Sequence, residues 1–209
     1  SGTSIRLMSG LLSAQSFDSE LCGDQSLSKR PMDRIIEPLR QMGAKINGVN
    51  SKLPLSISGN QTLKAITYEL PIASAQIKSC LLLAGLYAQG KTCIVENVAT
   101  RDHTERMLRG FGYQVVCSDN CITLDGGGEL EACDIDIPSD ISSAAFFMVA
   151  GSIAKDADLT LKSININPTR TGIIEILKLM GADITLSNET EMAGEHTADI
   201  RIRAADLKG

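Results

Sequence analysis

The sequence predicts an α/β protein assembled from a repeated unit of two inner helices and about four outer strands. Two observations carry that prediction. Gly43, Gly112 and Gly181 each close a helix-spaced apolar pattern, and they stand 69 residues apart in both intervals (112 − 43 and 181 − 112). Each is followed by the alternation of a strand, so the glycine occupies the place where a left-handed residue ends a helix. The second observation is another helix per unit, in Thr3–Ser13, Ser74–Ala88 and Ser142–Ala154. Each begins with a hydroxyl residue suited to capping and carries a small-residue apolar face that includes Gly10, Gly85 or Gly151. Such small faces predict helices that pack together on the inside, with the sheets outside them.

The first helix of the repeat reads from Ile35 to Met42, from Thr104 to Phe111 and from Ile173 to Met180. Strands are expected at Leu53–Ser58, Leu63–Ile66, Thr92–Glu96, Gln114–Cys117, Ile122–Leu124, Asp134–Ile137, Asp158–Leu161 and Asp199–Ile202. Cys117 and Cys121 flank a polar Ser-Asp-Asn step, which predicts a hairpin. The run Asp125-Gly126-Gly127-Gly128-Glu129 reads as a turn. A phosphate-cradling loop would require a following helix and favour a lysine, whereas acidic residues flank this one. Pro138-Ser139-Asp140 marks the expected domain crossing, because proline removes a ladder donor just before a new helix.

Composition excludes several function classes. Net charge is −5, aromatics make up 3 % and Trp is absent, so neither a positive field nor stacking material is available for nucleic acid. No uninterrupted apolar run reaches membrane-spanning length, and no signal-peptide pattern opens the chain. The start at Ser1-Gly2-Thr3, without Met and without a strand before the first helix, predicts a boundary inside a larger protein. Six cysteines lack paired metal-ligand spacing and only His103 and His196 could join them, so no metal is expected. Reduced thiols in a cytoplasmic protein are the expectation.

Three clusters suit anion binding. Gly2-Thr3-Ser4-Ile5-Arg6 places small residues at a helix start, where free N–H groups and the helix dipole attract negative charge. Lys29-Arg30-Pro31-Met32-Asp33-Arg34 sets cations at the entry of a helix, with Pro31 suited to its first position. Cations there conflict with the dipole unless an anion is held between them. Ala73-Ser74-Ala75-Gln76-Ile77-Lys78 offers a hydroxyl and an amide in a helical first turn, with Lys78 either paired, snorkelling or near a site. Thr100-Arg101-Asp102-His103 again puts a cation before a helix, and His103 reads as a surface or capping residue. Arg170 lies a full period after Arg101.

Taken in order, these strings resemble one family. Gly2-Thr3-Ser4-Ile5-Arg6-Leu7, Arg30-Pro31-Met32-Asp33-Arg34, Met42-Gly43-Ala44, Ser74-Ala75-Gln76-Ile77-Lys78-Ser79 and Thr100-Arg101-Asp102-His103-Thr104-Glu105 are similar to the 5-enolpyruvylshikimate-3-phosphate synthases. The bacterial class with Ser-Ala-Gln is the nearest match. The resemblance implies the enolpyruvyl transferase fold, an inside-out α/β barrel type with three pseudo-repeats per domain, incomplete here. It implies transfer of the enolpyruvyl group of phosphoenolpyruvate to the 5-hydroxyl of shikimate 3-phosphate, with release of phosphate and no cofactor. By the same resemblance, Gly2 and Arg30 contact phosphoenolpyruvate and Gln76 lies between both substrates. Ser74, Ala75 and Arg101 hold shikimate 3-phosphate. Two polyanionic substrates require arginine forks and helix N-termini at close range.

Addition and elimination also require a proton donor and a base. The family's Lys-Ser segment would precede Gly2, and its acidic residue and Lys-Glu pair would follow Gly209. The expectation is therefore a central fragment with no catalytic residue of its own, drawn from an enzyme that is monomeric when intact. Residues 1–137 would be the later part of the first domain, about two repeat units, and 138–209 the first unit of the second. The alternatives are the related transferase acting on UDP-N-acetylglucosamine, or a non-catalytic anion-binding repeat protein. The first typically carries a loop cysteine, which the segment between Gly43 and Ser74 lacks.

Overall fold

The computed structural model describes residues 1–209 as two compact units. Ser1–Thr100 and Gly112–Glu131 form the first; Arg101–Phe111 and Ala132–Gly209 form the second. These units do not coincide with residues 1–137 and 138–209, the division expected at Pro138. The observed boundary lies near Glu131, and the helix after Thr100 groups with the later residues.

In the first unit, α1 (Gly2–Leu12), α2 (Asp33–Gln41) and α3 (Ala75–Gly85) meet two sheets. One sheet holds β1 (Ser19–Leu21), β2 (Ile46–Val49) and β3 (Lys52–Ile57) in the order β1-β3-β2, all antiparallel. The other holds β4 (Thr67–Glu69), β5 (Lys91–Val95), β6 (Val116–Ser118) and β7 (Cys121–Asp125) in the order β4-β5-β7-β6. Only the β4–β5 pair is parallel. In β3, Leu53, Leu55 and Ile57 are buried in strict alternation, as a half-buried strand requires.

α3 is the centre of this unit, packing on α1, α2, β5 and β7. It is buried nearly all round, from Ile77 through Leu82 and again at Ala84 and Gly85. An element of this kind shows no amphipathic stripe because every face has a neighbour. Each of its leucines contributes about 1.5–3 kcal/mol by burial. The expected close packing of inner helices is present between α1 and α3, where Gly10 lies flush against the Cys80 carbonyl. Gly85 and Gly151 differ from that expectation. Gly85 faces Thr92 and Leu124, and Gly151 faces Ile202 and Leu159, so both admit a sheet and not a helix.

The second unit contains α4 (His103–Gly110), α5 (Ile141–Ile153), α6 (Gly172–Leu179) and one antiparallel sheet. Its strands β8 (Asp158–Asn165), β9 (Asp183–Met192) and β10 (Glu195–Arg203) lie in the order β8-β10-β9. Ile141, Ala144 and Met148 of α5 pack with Ile164, Ile174, Leu177, Ile200 and Ile202 into one core. α4 packs on β10, with Gly110 against Ala193. The three sheets are separate and no closed barrel is formed. No helix is long and apolar enough to cross a membrane.

The periodic glycines end their helices as expected, with φ of +101° at Gly43, +74° at Gly112 and +94° at Gly181. Gly43 donates to the Arg40 carbonyl at 2.9 Å and Ala44 to that of Leu39 at 3.0 Å. Gly181 and Ala182 repeat the pattern on Lys178 and Leu177 at 3.0 and 2.9 Å. These are paired C-terminal caps that satisfy otherwise orphaned carbonyls. The Cys117–Cys121 hairpin is also present, turning on Asp119 and Asn120 with φ of 46° and 62°. Two positive φ values in a row give the turn whose twist matches paired strands. The glycine run forms a turn held by the Tyr113 hydroxyl, which donates to the Asp125 carbonyl at 2.5 Å and accepts from the Gly128 N–H at 3.2 Å.

Several expectations are corrected. Asp134–Ile137 forms no strand: the segment is exposed, its Asp136 N–H donates to the Met192 sulfur at 3.1 Å, and no strand pairs with it before the isolated bridge of Ser139 to Ile164. Leu63–Ile66 makes only an isolated bridge, Lys64 to Gln89, before β4 begins at Thr67. Pro31 does not begin α2. Met32 is held outside the helix at φ −119° by a bond from its N–H to the Ser51 carbonyl at 2.7 Å, so Asp33 starts it. The cysteines are not all reduced. β5 and β7 set Cys93 and Cys121 on neighbouring strands, 6.1 Å apart at Cα, and a disulfide joins them. Cys22, Cys80, Cys117 and Cys133 take no part in a disulfide.

Candidate functional site

Two helix N-termini come together in the first unit. Thr3 and Arg6 of α1 meet Gln76 of α3, and one turn further Gly10 meets Cys80, so the helices run parallel with their positive ends at the same edge. Ser1 caps α1 by accepting from the Ser4 N–H at 3.3 Å, and Ser74 caps α3 by accepting from Ile77 at 3.4 Å. Neither helix has an acidic residue in its first turn, so neither dipole is compensated from within.

Arginines gather at that edge. Arg30 ends a short 3-10 turn, Leu27–Lys29, whose buried Leu27 fixes it against the first unit. A methyl group added to Gly2 would lie 2.8 Å from the Arg30 Nη1 and 3.2 Å from that of Arg6, so glycine is what lets both guanidinium groups close over the start of α1. Burial first, and then the charges of Arg30 and Arg34, hold the Arg6 guanidinium below its ordinary pKa, against a smaller opposing pull from Asp33. A cation so placed is short of negative charge, which a bound anion would supply. Neither Arg6 nor Arg30 pairs with a carboxylate among the ion pairs of the structure.

Gly2, Arg30 and Gln76 are thus brought together, with Ser74 and Ala75 beside Gln76 in the first turn of α3. Lys78 is not part of the anion cluster. It is fully buried and its Nζ lies 3.1 Å from Oε1 of Glu96, whose Oε2 accepts from the Thr100 hydroxyl at 2.8 Å and N–H at 3.3 Å. This network fixes Thr100, the last residue of the first unit's longer segment.

Arg101 opens the second unit and is exposed. The next residue, Asp102, accepts from Arg106 Nε at 2.8 Å and from Asn167 Nδ2 at 2.6 Å. Burial pushes the Asp102 carboxyl up, yet the bonds from Asn167 and Arg106 outweigh it and the net shift is downward. His103 Nδ1 lies 2.6 Å from Glu195 Oε1, and Asn165 donates to the other carboxylate oxygen at 2.9 Å. These bonds fasten α4 to the β-sheet of its own unit. Arg170 meets Asp140 at 3.3 Å and the Ser142 hydroxyl at the start of α5. No three His, Cys, Asp or Glu side chains converge where a metal could sit.

Sequence reasoning assigned no role to Arg6. The signal was available: four residues after Gly2 on a helix, it must share the face and the end that Gly2 occupies. Its surroundings can bind and orient an anion, and the carboxylate of Asp33, whose buried Oδ1 has no hydrogen-bond partner, is near enough to pull on its charge.

Comparisons with known proteins show the family of the chain. The EPSP synthase (3-phosphoshikimate 1-carboxyvinyltransferase) family model matches residues 1–209. A 3-phosphoshikimate 1-carboxyvinyltransferase from Vesicomyosocius okutanii subsp. Calyptogena okutanii is 66% identical over 209 residues, covering 100% of this chain and 48% of that protein. The one from Alkalilimnicola ehrlichii is 58% identical over 210 residues, covering 100% of this chain and 47% of its own length. A solved EPSP synthase from Acinetobacter baumannii is similar with a TM-score of 0.91 at 59% identity, covering 100% of this chain and 47% of that one. The chain spans about half the length of the curated relatives it matches. It belongs to the EPSP synthase family and has that family's mixed α/β fold.

Proposed function

We propose that the chain is the substrate-gripping middle portion of an enzyme that transfers the enolpyruvyl group of phosphoenolpyruvate to the 5-hydroxyl of shikimate 3-phosphate. The observation that carries the proposal is the meeting of two parallel, uncompensated helix N-termini with Arg6 and Arg30 over Gly2. A doubly charged phosphate ester beside a carboxylate is the kind of ligand such an edge selects. Gly2 and Arg30 contact phosphoenolpyruvate, Gln76 reaches both substrates, and Ser74, Ala75 and Arg101 hold shikimate 3-phosphate.

By descent from the repeat, 1–137 corresponds to about two units of the family's first domain and 138–209 to the first unit of its second. The whole enzyme acts as a cytoplasmic monomer, and this portion alone does not turn over substrate. The groups that move protons in the addition and elimination steps come from other parts of the family's length. Titration of phosphoenolpyruvate into the 15N-labelled chain tests the reading. Shifts are expected at Gly2, Arg30 and Gln76 that fade as salt is raised, because charge drives the binding. Shifts confined to other residues would overturn it, and product formation by the isolated chain would overturn the division of labour.

A further inference from the structure

One guanidinium in the first unit joins three segments. Arg6 donates from Nη1 to Oε1 of Gln76 at 2.8 Å and to the Gly2 carbonyl at 3.1 Å, and from Nη2 to the Pro31 carbonyl at 3.2 Å. It therefore ties the start of α1, the first turn of α3 and the entry to α2. Gln76 makes one further bond, from Nε2 to the Thr3 hydroxyl at 2.9 Å. Arg30 makes no side-chain hydrogen bond to this protein, so the two arginines at the edge are in different situations.

The direction of the Gln76 amide follows from the chemistry of its partner. A glutamine amide can present either its oxygen or its nitrogen to a given neighbour, and the choice is decided by the bonds around it. A guanidinium has five N–H donors and no acceptor. It accommodates Oε1 and repels Nε2, so beside Arg6 the amide has one orientation. Nε2 then lies on the side of Thr3 and Gly2. One of its two hydrogens is used by Thr3 and the second remains for a ligand. Turned the other way, Gln76 would offer an oxygen to an anion and repel it.

We propose that Arg6 is a positioning residue: it locks the Gln76 side-chain amide so that Nε2 faces the substrate oxygens, and it does not bind substrate itself. Three of its five N–H donors are already given to Gln76, Gly2 and Pro31, whereas Arg30 gives none to the protein and is the arginine that meets the ligand. The inference rests on the anion-binding reading given under Proposed function and assigns separate tasks to the two arginines.

The experiment compares wild type with Arg6→Met, Arg6→Lys and Arg30→Met, each 15N-labelled, before and after addition of phosphoenolpyruvate. Without ligand, the wild type should show Gln76 amide protons that are distinct and slow to exchange, with a cross-relaxation peak to Thr3. In Arg6→Met those signals should move to the position of an unrestrained glutamine, and affinity for phosphoenolpyruvate should fall about tenfold, the scale of a lost charge-assisted hydrogen bond. Arg6→Lys should recover part of both. Arg30→Met should abolish binding and leave the Gln76 signature of the free protein untouched. Loss of affinity in Arg6→Met with the Gln76 signals unchanged would place Arg6 on the ligand and overturn the proposal. Unchanged affinity and unchanged signals would overturn it equally. If neither Arg6 variant folds, the wild type still decides: a cross-relaxation peak from the Gln76 Nε2 protons to the Arg6 side chain in place of Thr3 refutes the orientation. If phosphoenolpyruvate shifts nothing in the wild type, the binding reading fails, while the free-protein comparison still tests the lock.

Discussion

Lys78, fully buried in α3, faces the Glu96 carboxylate at 3.1 Å, and the same carboxylate receives both the N–H and the hydroxyl of Thr100. The pair lies inside the helix whose first turn carries Gln76, so the anion edge rests on a buried charge network two residues below it. Removing one member of such a pair leaves the other charge unmatched in a medium that solvates it badly. Lys78→Met should therefore lower the unfolding free energy by about 3–5 kcal/mol. Replacing both, as Lys78→Met with Glu96→Leu, should recover a large part of that loss. Urea unfolding of the two variants checks both statements.

Gly2 should tolerate alanine in folding and fail in binding. A methyl group there would lie 2.8 Å from Arg30 Nη1 and 3.2 Å from Arg6 Nη1, both ends of flexible side chains. The helix itself accepts alanine, so stability should stay within about 0.5 kcal/mol. The displaced Arg30 fork should weaken phosphoenolpyruvate binding about tenfold, the value of one good charged hydrogen bond. Calorimetric titration alongside a thermal melt separates the two effects.

How far the sequence disclosed this site depended on what kind of signal each residue leaves. Gly43, Gly112 and Gly181 were legible because a left-handed cap excludes most side chains, and the structure places all three at positive φ. Gly2, Arg30 and Gln76 were legible as motif members, and their convergence follows from two parallel helices. For Arg6, helical spacing records its place beside Gly2, but not its bonds to Gln76 and Pro31, which are distant in the chain. Helix boundaries moved where tertiary bonds intervened, as when the Met32 N–H bond to Ser51 delayed α2 past Pro31. The strand expected at Asp134–Ile137 failed for the converse reason: alternation without a partner strand does not make a ladder.

The periodic glycines give a prediction of their own. Gly43→Ala and Gly181→Ala each force a side chain into a conformation that L residues adopt with strain, at φ of +101° and +94°. Open space around Gly181, whose nearest added contact would be the Asp206 carbonyl at 3.6 Å, means that the effect there is conformational and not steric. Each should destabilise by about 1 kcal/mol. Asparagine, which tolerates the left-handed region, should do less harm at Gly181 than alanine. Paired thermal melts of the two Gly181 variants measure the difference.

Cys80 should be the slowest thiol to react. It is fully buried where α1 and α3 touch, and burial pushes its thiol up to about 12. Cys133 is exposed by comparison. Since the thiolate is the reactive form, alkylation of the native chain should label Cys133 within the time that leaves Cys80 unmodified. Gly10→Ala drives a methyl into the Cys80 carbonyl and should part the helices, at about 1–3 kcal/mol in stability. Mass mapping should then find Cys80 labelled more readily in that variant.

Acid stability should carry the mark of Asp199. Its carboxylate accepts from Lys162 at 2.7 Å, from Asn188 at 2.9 Å and from the Ser163 N–H at 2.9 Å. The Lys162 bond, then those of Asn188 and Ser163, hold the carboxyl at about 2. In the unfolded chain an aspartate titrates near about 3.9. The folded state therefore binds the proton less readily than the unfolded one, and stability from this group is present above about pH 4. It is lost as the pH falls from about 4 through about 2, where the folded carboxyl is at last protonated. Asp199→Asn removes the titration, so its unfolding free energy should be lower than wild type at pH 7 and should show a shallower decline between about pH 4 and pH 2. Urea unfolding across that range provides the measurement, and an acid limb equally steep in both proteins would show that Asp199 does not set it.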